Sequence, residues 1–401
     1  MTRRDPLAVV VCFGVLVSLA LPIAAGAQTV TFTNASAITI PASGTGAPTG
    51  APAAPYPSNI VVSGLTAPIA RVSVTLNGLT HSFPDDVDIL LVAPDGAKLI
   101  VLSDVGASTD ATVAAITLSD EATSFLADTG PLVTGTYRPA NFGSGDAFPA
   151  PAPAIVAGDS PAPGGIATFA SKFAGHSANG TWSLYVVDDL GGDIGSISGG
   201  WTLTITQASP ATAGQLIISE FRLSGPGGAT DEFIEIYNAS GSTHVVSAVS
   251  GSGYGIAASN GVTRCSIPNG TVIAAGGHFL CVNSGGYSLV GYPAGASALA
   301  SGDVTYTADI PFNSGIAIFN NNTGGSSYSI ANRLDAVGST SEANLTYKEG
   351  SGYPPLTTDT TQSAFTRRPP GGCSGGSTGN CTTSLQYRTT APVSLLSLIH
   401  I

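Results

Sequence analysis

The 401 residues carry a formal net charge of −12 with only 9% charged side chains, and 51 of them are glycine and 27 proline. Such acidity excludes a nucleic-acid or anionic-membrane surface built on clustered Lys and Arg, and it suits hard cations or plain solubility. Few charges among abundant small and turn-forming residues disfavour long amphipathic helices and favour short strands joined by turns. Repeated apolar–polar alternation separates the chain from a disordered one, so the expected class is all-β, in about two domains.

Residues 1–27 open with Met-Thr-Arg-Arg, pass through an apolar stretch from Leu7 to Ile23, and end on Ala25-Gly-Ala27 before Gln28. A basic start, an apolar middle and small residues at −3 and −1 predict a secretory signal peptide cleaved after Ala27. The mature chain is then secreted, extracellular or on the cell surface, with no membrane span. An uncleaved anchor helix is the alternative, but Pro6 and Pro22 bracket a stretch too short to span comfortably.

From Gln28 to Gln207 strand signals follow one another, beginning with Thr29-Val-Thr-Phe-Thr33. Residues 41–57 read as an extended, solvated Pro/Gly/Ala loop. Val72, Val74 and Leu76 alternate with polar residues as a half-buried strand. Val87 to Val92 and Lys98 to Leu102 flank Pro94-Asp-Gly96, which predicts a hairpin. The Pro/Ala-rich stretch from Phe148 to Gly165 reads as a spacer. Trp182, Leu184 and Val186, then Trp201, Leu203 and Ile205, alternate with small or polar residues, which places both tryptophans in the core rather than on a sugar-stacking surface.

Residues 208–214 form a linker, and 215–392 a second module. Leu216-Ile-Ile-Ser-Glu-Phe-Arg222 and Asp231-Glu-Phe-Ile-Glu-Ile-Tyr-Asn238 read as strands about a Gly/Pro loop. Cys12 leaves with the leader, and the other cysteines, Cys265, Cys281, Cys373 and Cys381, suggest two disulfides with three connectivities. Cys265–Cys281 and Cys373–Cys381 are favoured because each closes a short, hairpin-like loop; zinc is the rival, with spacings that fit it poorly. Residues 393–401 stay unassigned and look like a truncated or non-native end.

Several segments carry a family resemblance. Pro55-Tyr-Pro-Ser-Asn-Ile-Val-Val-Ser-Gly64, His81-Ser-Phe-Pro-Asp-Asp-Val-Asp-Ile-Leu-Leu-Val-Ala-Pro-Asp-Gly96, Leu102-Ser-Asp-Val-Gly106, Gly135-Thr-Tyr-Arg-Pro-Ala-Asn141 and residues 179–206 occur in an order that resembles the P domain, or P/Homo B. That resemblance implies a jelly-roll-like sandwich over residues 28–207, of the kind that follows the catalytic domain of proprotein convertases and bacterial subtilisin-like serine endopeptidases. The second module resembles the lamin-tail domain, which implies an immunoglobulin-like sandwich with insertions at 247–262 and 284–303.

The chemistry the residues offer is acidic. Asp85, Asp86 and Asp88 precede an apolar strand, Asp95 sits in the Pro-Asp-Gly turn, Asp104 follows Ser103, and Asp188, Asp189 and Asp193 occupy a glycine-rich loop. Calcium takes about six to eight oxygens in flexible geometry, and some members of the P-domain family carry it at one end of the sandwich. The competing reading is that these Asp residues cap turns by accepting backbone N–H bonds. His81 is expected to pack beside the strand entry. Gly175-His-Ser-Ala-Asn-Gly180 comes near a nucleophile elbow, yet its final glycine is displaced and the strand–turn–helix context is missing. The expectation is therefore a non-catalytic module that binds an unknown extracellular protein or surface partner, for adhesion or scaffolding, with calcium as its cofactor. The alternative is the accessory region of a serine endopeptidase whose catalytic domain lies elsewhere.

Overall fold

The computed structural model describes residues 27–41, 51–225, 227–287, 302–350, 352–353, 355, 365–367 and 385–387. The leader, the pair Cys373 and Cys381, most of the 284–303 insertion and the 393–401 tail lie outside them. Two β-sandwiches follow one another, each with its own apolar core. Among the described residues no helix is long and apolar enough to cross a membrane.

In the first sandwich one sheet runs in the order Thr29–Asn34, Trp201–Gln207, Ile69–His81, Gly195–Ile197, Ile38–Ile40, with Ala111–Ser119 also paired to Ile69–His81. The other runs Ala140–Asn141, Lys98–Ser103, Val87–Val92, Gly180–Asp188, with both Ala51–Pro52 and Ser58–Val62 on the last strand. Alternation sends Val72, Val74 and Leu76 inward against Ile89, Leu91, Leu184 and Val186. Trp182 and Trp201 are fully buried, as their spacing predicts. Each indole N–H finds an acceptor, the Ala178 carbonyl at 2.9 Å and Ser58 Oγ at 3.0 Å, which is what a buried indole requires.

Two loop expectations are corrected. Ala51 and Ala53 are buried and Ala51–Pro52 joins the sheet, so the end of the 41–57 segment is structural. The 148–165 stretch is no spacer, because it covers the outer face of the second sheet. Phe148, Ala152 and Ile155 pack on Leu90, Ile100 and Tyr185, while Tyr56 donates to the Pro149 carbonyl at 2.9 Å. Buried Asp159 anchors the stretch through Lys172 at 2.6 Å and Lys98 at 3.5 Å. A sheet with apolar residues on both faces needs such a second cover, and proline-rich backbone with few unpaired N–H groups can supply it.

The 208–214 linker is docked rather than free. Ala208 and Ala211 are buried, and the Ala211 N–H donates to the Tyr254 hydroxyl at 2.6 Å. Beyond it the sheets run Val304–Tyr306, His278–Asn283, Phe233–Asn238, Leu216–Arg222, Phe365–Arg367, Leu385–Tyr387, and Thr263–Pro268, Gly253–Ala258, Ile316–Phe319, Arg333–Val337. Residues 247–262, expected as an insertion, contribute the wholly buried Gly253–Ala258 strand in the middle of the second of these sheets. Cys265 and Cys281 are bonded as expected, for a different reason than a hairpin, since they sit on opposite sheets and tie the sandwich together. The bond closes a sequence separation of 16, for which loss of loop-closure entropy stabilises by ~3 kcal/mol. Paired Cys265→Ala and Cys281→Ala substitutions are expected to lower the urea midpoint of the second sandwich accordingly; an unchanged midpoint would contradict that role.

Candidate metal centre

The acidic residues gather where strand register brings them. Val87–Val92 alternates Val87, Ile89 and Leu91 inward, which turns Asp88 to the outer face. Its partner strand carries a register shift, pairing Ile89 with Leu102 but Leu90 with Ile100. The extra residue leaves both Val101 and Leu102 in the core and turns Ser103 outward beside Asp88. Ala140–Asn141 then pairs in parallel with Asn141 opposite Ser103, and the following turn brings Asp146 back over them.

One carboxylate oxygen each from Asp88, Asp104 and Asp146 lies within 4.8 Å of the others. A cation bound at about 2.3–2.6 Å from each oxygen can span that distance. Ser103 Oγ, wholly buried, sits 2.6 Å from Asp88 Oδ1, 2.7 Å from Asp104 Oδ2 and 3.1 Å from Asp146 Oδ1. A hydroxyl has one proton to donate, so these three contacts leave two oxygen pairs without a proton from Ser103. Asn141, 1% exposed, donates from Nδ2 to Asp146 Oδ2 at 2.6 Å, while its Oδ1 is buried with no hydrogen-bond partner. A neutral amide oxygen is a calcium-type ligand. Asp104 adopts φ of 53°, a left-handed conformation that Asp tolerates better than most residues. It receives the Gly143 N–H at 3.1 Å, and a Cβ on Gly143 would lie 2.3 Å from its Oδ2. Close approach therefore requires glycine there.

A second group lies at the rim between the sheets. His81 and Asp188 are fully buried with Nε2 and Oδ2 3.3 Å apart, close enough to attract yet not aligned as a hydrogen bond. His81 Nδ1 is 2.8 Å from the Phe83 carbonyl, so the ring packs at the strand end, as expected, and also faces the acids. Asp193 accepts from Ser82 Oγ at 2.8 Å. Asp86 is buried with Oδ2 unpartnered.

Burial raises Asp85, Asp86, Asp88, Asp104, Asp188 and Asp189, and neighbouring carboxylates raise most of them further. Desolvation first, then Asp189, Asp188 and Asp193, pushes Asp86 up to about 7. Asp88 lies well above the ordinary carboxylate range by desolvation, against the Ser103 hydrogen bond. Asp104 is raised by desolvation against that same bond, and Asp189 by desolvation together with Asp104, Asp188 and Asp146. Asp188 is raised by desolvation, against His81. Asp85 is raised by desolvation and then by Asp128. Apart from His81, the charged neighbours acting on these groups are other carboxylates, an arrangement that favours either protons or a cation.

Asp95 does not belong to this cluster. It lies in the turn at the far end of the Val87–Val92 strand, accepting the Ala97 N–H at 3.1 Å and facing His176 Nδ1 at 2.5 Å. There the turn-capping alternative describes it. Asp146 and Asn141, conversely, were not among the residues expected at the cluster; the glycines around Gly143-Ser-Gly-Asp146 were the available signal. No protein-family model and no curated protein matches the chain.

Proposed function

We propose that the chain is a secreted, non-catalytic β-sandwich protein for extracellular or cell-surface binding, with calcium held at the end of its first sandwich. Asp88, Asp104, Asp146 and the Asn141 amide would hold the ion, with Asp189 on the open side. The observation that carries this reading is the buried Ser103 hydroxyl ringed by three carboxylates, which one proton cannot satisfy. Calcium would supply the missing positive charge and lock the loops at 104–106, 142–146 and 189–193 together. The leader pattern of residues 1–27 supports export.

Thermal unfolding with and without chelator tests it. At a calcium concentration a hundredfold above Kd, stabilisation is ~2.7 kcal/mol, or roughly 5–10 °C for a domain of this size. Asp88→Asn is expected to remove the response, and a midpoint indifferent to millimolar calcium would sink the proposal.

The order of P-domain-like motifs supports a second reading, an accessory region of a subtilisin-like serine endopeptidase, although fold does not fix function. Purified chain is expected to take no label from a fluorophosphonate, and covalent capture would overturn the non-catalytic reading.

A further inference from the structure

We propose that Asn344 is an acceptor for N-linked glycosylation, modified on the folded chain by an oligosaccharyltransferase that draws on a lipid-pyrophosphate-linked oligosaccharide. This rests on the export reading above, because such transfer takes place on the outer side of a membrane. Asn-x-Ser/Thr marks an acceptor in a surface loop of a secreted protein. The triplet occurs at Asn34, Asn179, Asn238, Asn269, Asn321, Asn344 and Asn380. One feature of the sequence separates them: Glu342 stands two residues before Asn344, whereas Phe32, Ser177, Ile236, Ile267, Phe319 and Thr378 hold that place at the others. A carboxylate there gives a transferase with a basic subsite a second handle on the loop.

The fold separates the triplets by what each amide already does, since transfer needs a free and reachable Nδ2. Asn238 is fully buried, and its Nδ2 donates to the Ser242, Ile273 and Ala274 carbonyls. Asn321 is fully buried too, donating to the Ser327 carbonyl at 3.3 Å. Asn179 clamps the Leu65 backbone, accepting its N–H at 3.1 Å and donating to its carbonyl at 2.6 Å. Asn34 donates to Ser58 Oγ at 3.2 Å and to the Asn59 carbonyl at 2.9 Å. Asn269 accepts the Ala248 N–H at 2.8 Å and donates to the Gly251 carbonyl at 3.4 Å. A sugar on any of these would displace bonds that hold a turn or a strand end. Asn380 lies outside the described residues.

Asn344 differs. It is exposed in the loop between Arg333–Val337 and the short turn Leu345–Tyr347, and Leu345 beside it is 64% exposed. Its Oδ1 accepts the Thr346 N–H at 3.0 Å, an Asx turn inside the triplet, while its Nδ2 makes no hydrogen bond among the described residues. The backbone around it is held. Glu342 accepts the Asn344 N–H at 2.8 Å through Oε1 and the Gly315 N–H at 2.9 Å through Oε2, and Arg333 Nη1 donates to the Leu345 carbonyl at 2.5 Å. The loop is thus fixed while the amide nitrogen stays open. In the transfer Nδ2 bonds to the anomeric carbon, and the bond from that carbon to the pyrophosphate oxygen breaks. The lipid pyrophosphate leaves with that electron pair, and one Nδ2 proton passes to a base of the transferase, so no oxidant or reductant is needed.

The test offers the purified, folded chain to a bacterial oligosaccharyltransferase of the class that requires an acid two residues before the asparagine, together with its lipid-pyrophosphate-linked oligosaccharide. Glycopeptide mass spectrometry is expected to find sugar on the peptide carrying Asn344 and on none carrying Asn34, Asn179, Asn238, Asn269 or Asn321. Asn344→Gln should abolish the mass shift with the second-sandwich melting transition still in place, and Glu342→Gln should lose most of it. Sugar on one of those other five with Asn344 bare, sugar spread over all of them, or no transfer to a chain that calorimetry shows folded overturns the acceptor proposal. Co-expression of the chain, leader included, with the same transferase tests export separately. A chain that stays unmodified in the cytoplasm, when the purified chain does take the sugar, overturns the export reading and with it modification in the cell.

Discussion

Trp201→Ala is expected to cost ~3–5 kcal/mol, the usual range for emptying a buried aromatic site. Trp201 is fully buried on the strand paired with both Thr29–Asn34 and Ile69–His81, so its removal leaves a cavity between the sheets that neither neighbouring strand can close without changing register. It also strips the buried Ser58 hydroxyl of the indole donor at 3.0 Å. Against a typical total of about 5–15 kcal/mol, that is a large share of one module's stability. Differential scanning calorimetry should show the first-sandwich transition falling while the second holds. A loss under ~1 kcal/mol, or an equal fall of both transitions, would contradict separate cores with Trp201 central to the first.

The second large effect joins pH to calcium. In chelator, folding raises Asp86 to about 7 from an ordinary value of 3.8, and raises Asp88, Asp104, Asp188 and Asp189 as well, mainly by desolvation. A folded state that holds protons more tightly than the unfolded one has its full stability below the unfolded values, near pH 4, and loses it as pH rises through about 7. The chelated first sandwich is therefore expected to melt several degrees higher at pH 5 than at pH 8. Saturating calcium should invert the order, because protons and calcium compete for the same oxygens. A melting temperature that rises with pH in chelator would show that the carboxylates are satisfied some other way.

The second sandwich serves as an internal control, since two of its groups oppose one another. Burial raises Glu232 to about 7 despite hydrogen bonds from Asn283 and the Ile310 N–H, so its stability is full below its ordinary 4.5 and is lost as pH rises through 7. Burial lowers His244 to about 4, so its stability is full above 6.5 and is lost as pH falls toward 4. His244 Nδ1 lies 3.2 Å from Gln215 Nε2 and its Nε2 3.1 Å from the Tyr254 hydroxyl. A neutral ring protonated on Nε2 satisfies both contacts. The opposed slopes predict a transition that moves little between pH 5 and 7, and His244→Gln should expose the Glu232 slope alone.

Alternation with a period of two made the strands, the Pro94-Asp-Gly96 hairpin and the burial of Trp182 and Trp201 readable along the chain, because facing is a local property of extended backbone. The abundance of acid near Val87 and after Val187 was equally plain. Which acids meet was decided by tertiary structure. A bulge turned Ser103 out beside Asp88, a parallel pairing set Asn141 opposite it, and a glycine turn delivered Asp146, while Asp95 went to the far end of the same strand. Likewise the proline-rich 148–165 stretch gained its role as a cover, and Cys265–Cys281 its place between sheets, only when strands distant in sequence were laid together. Register and sheet order depend on the sum of long-range packing, and a one-residue shift moves a side chain to the opposite face. Sequence alone therefore determined the all-β class and the acidic chemistry, and the fold determined where that chemistry converges.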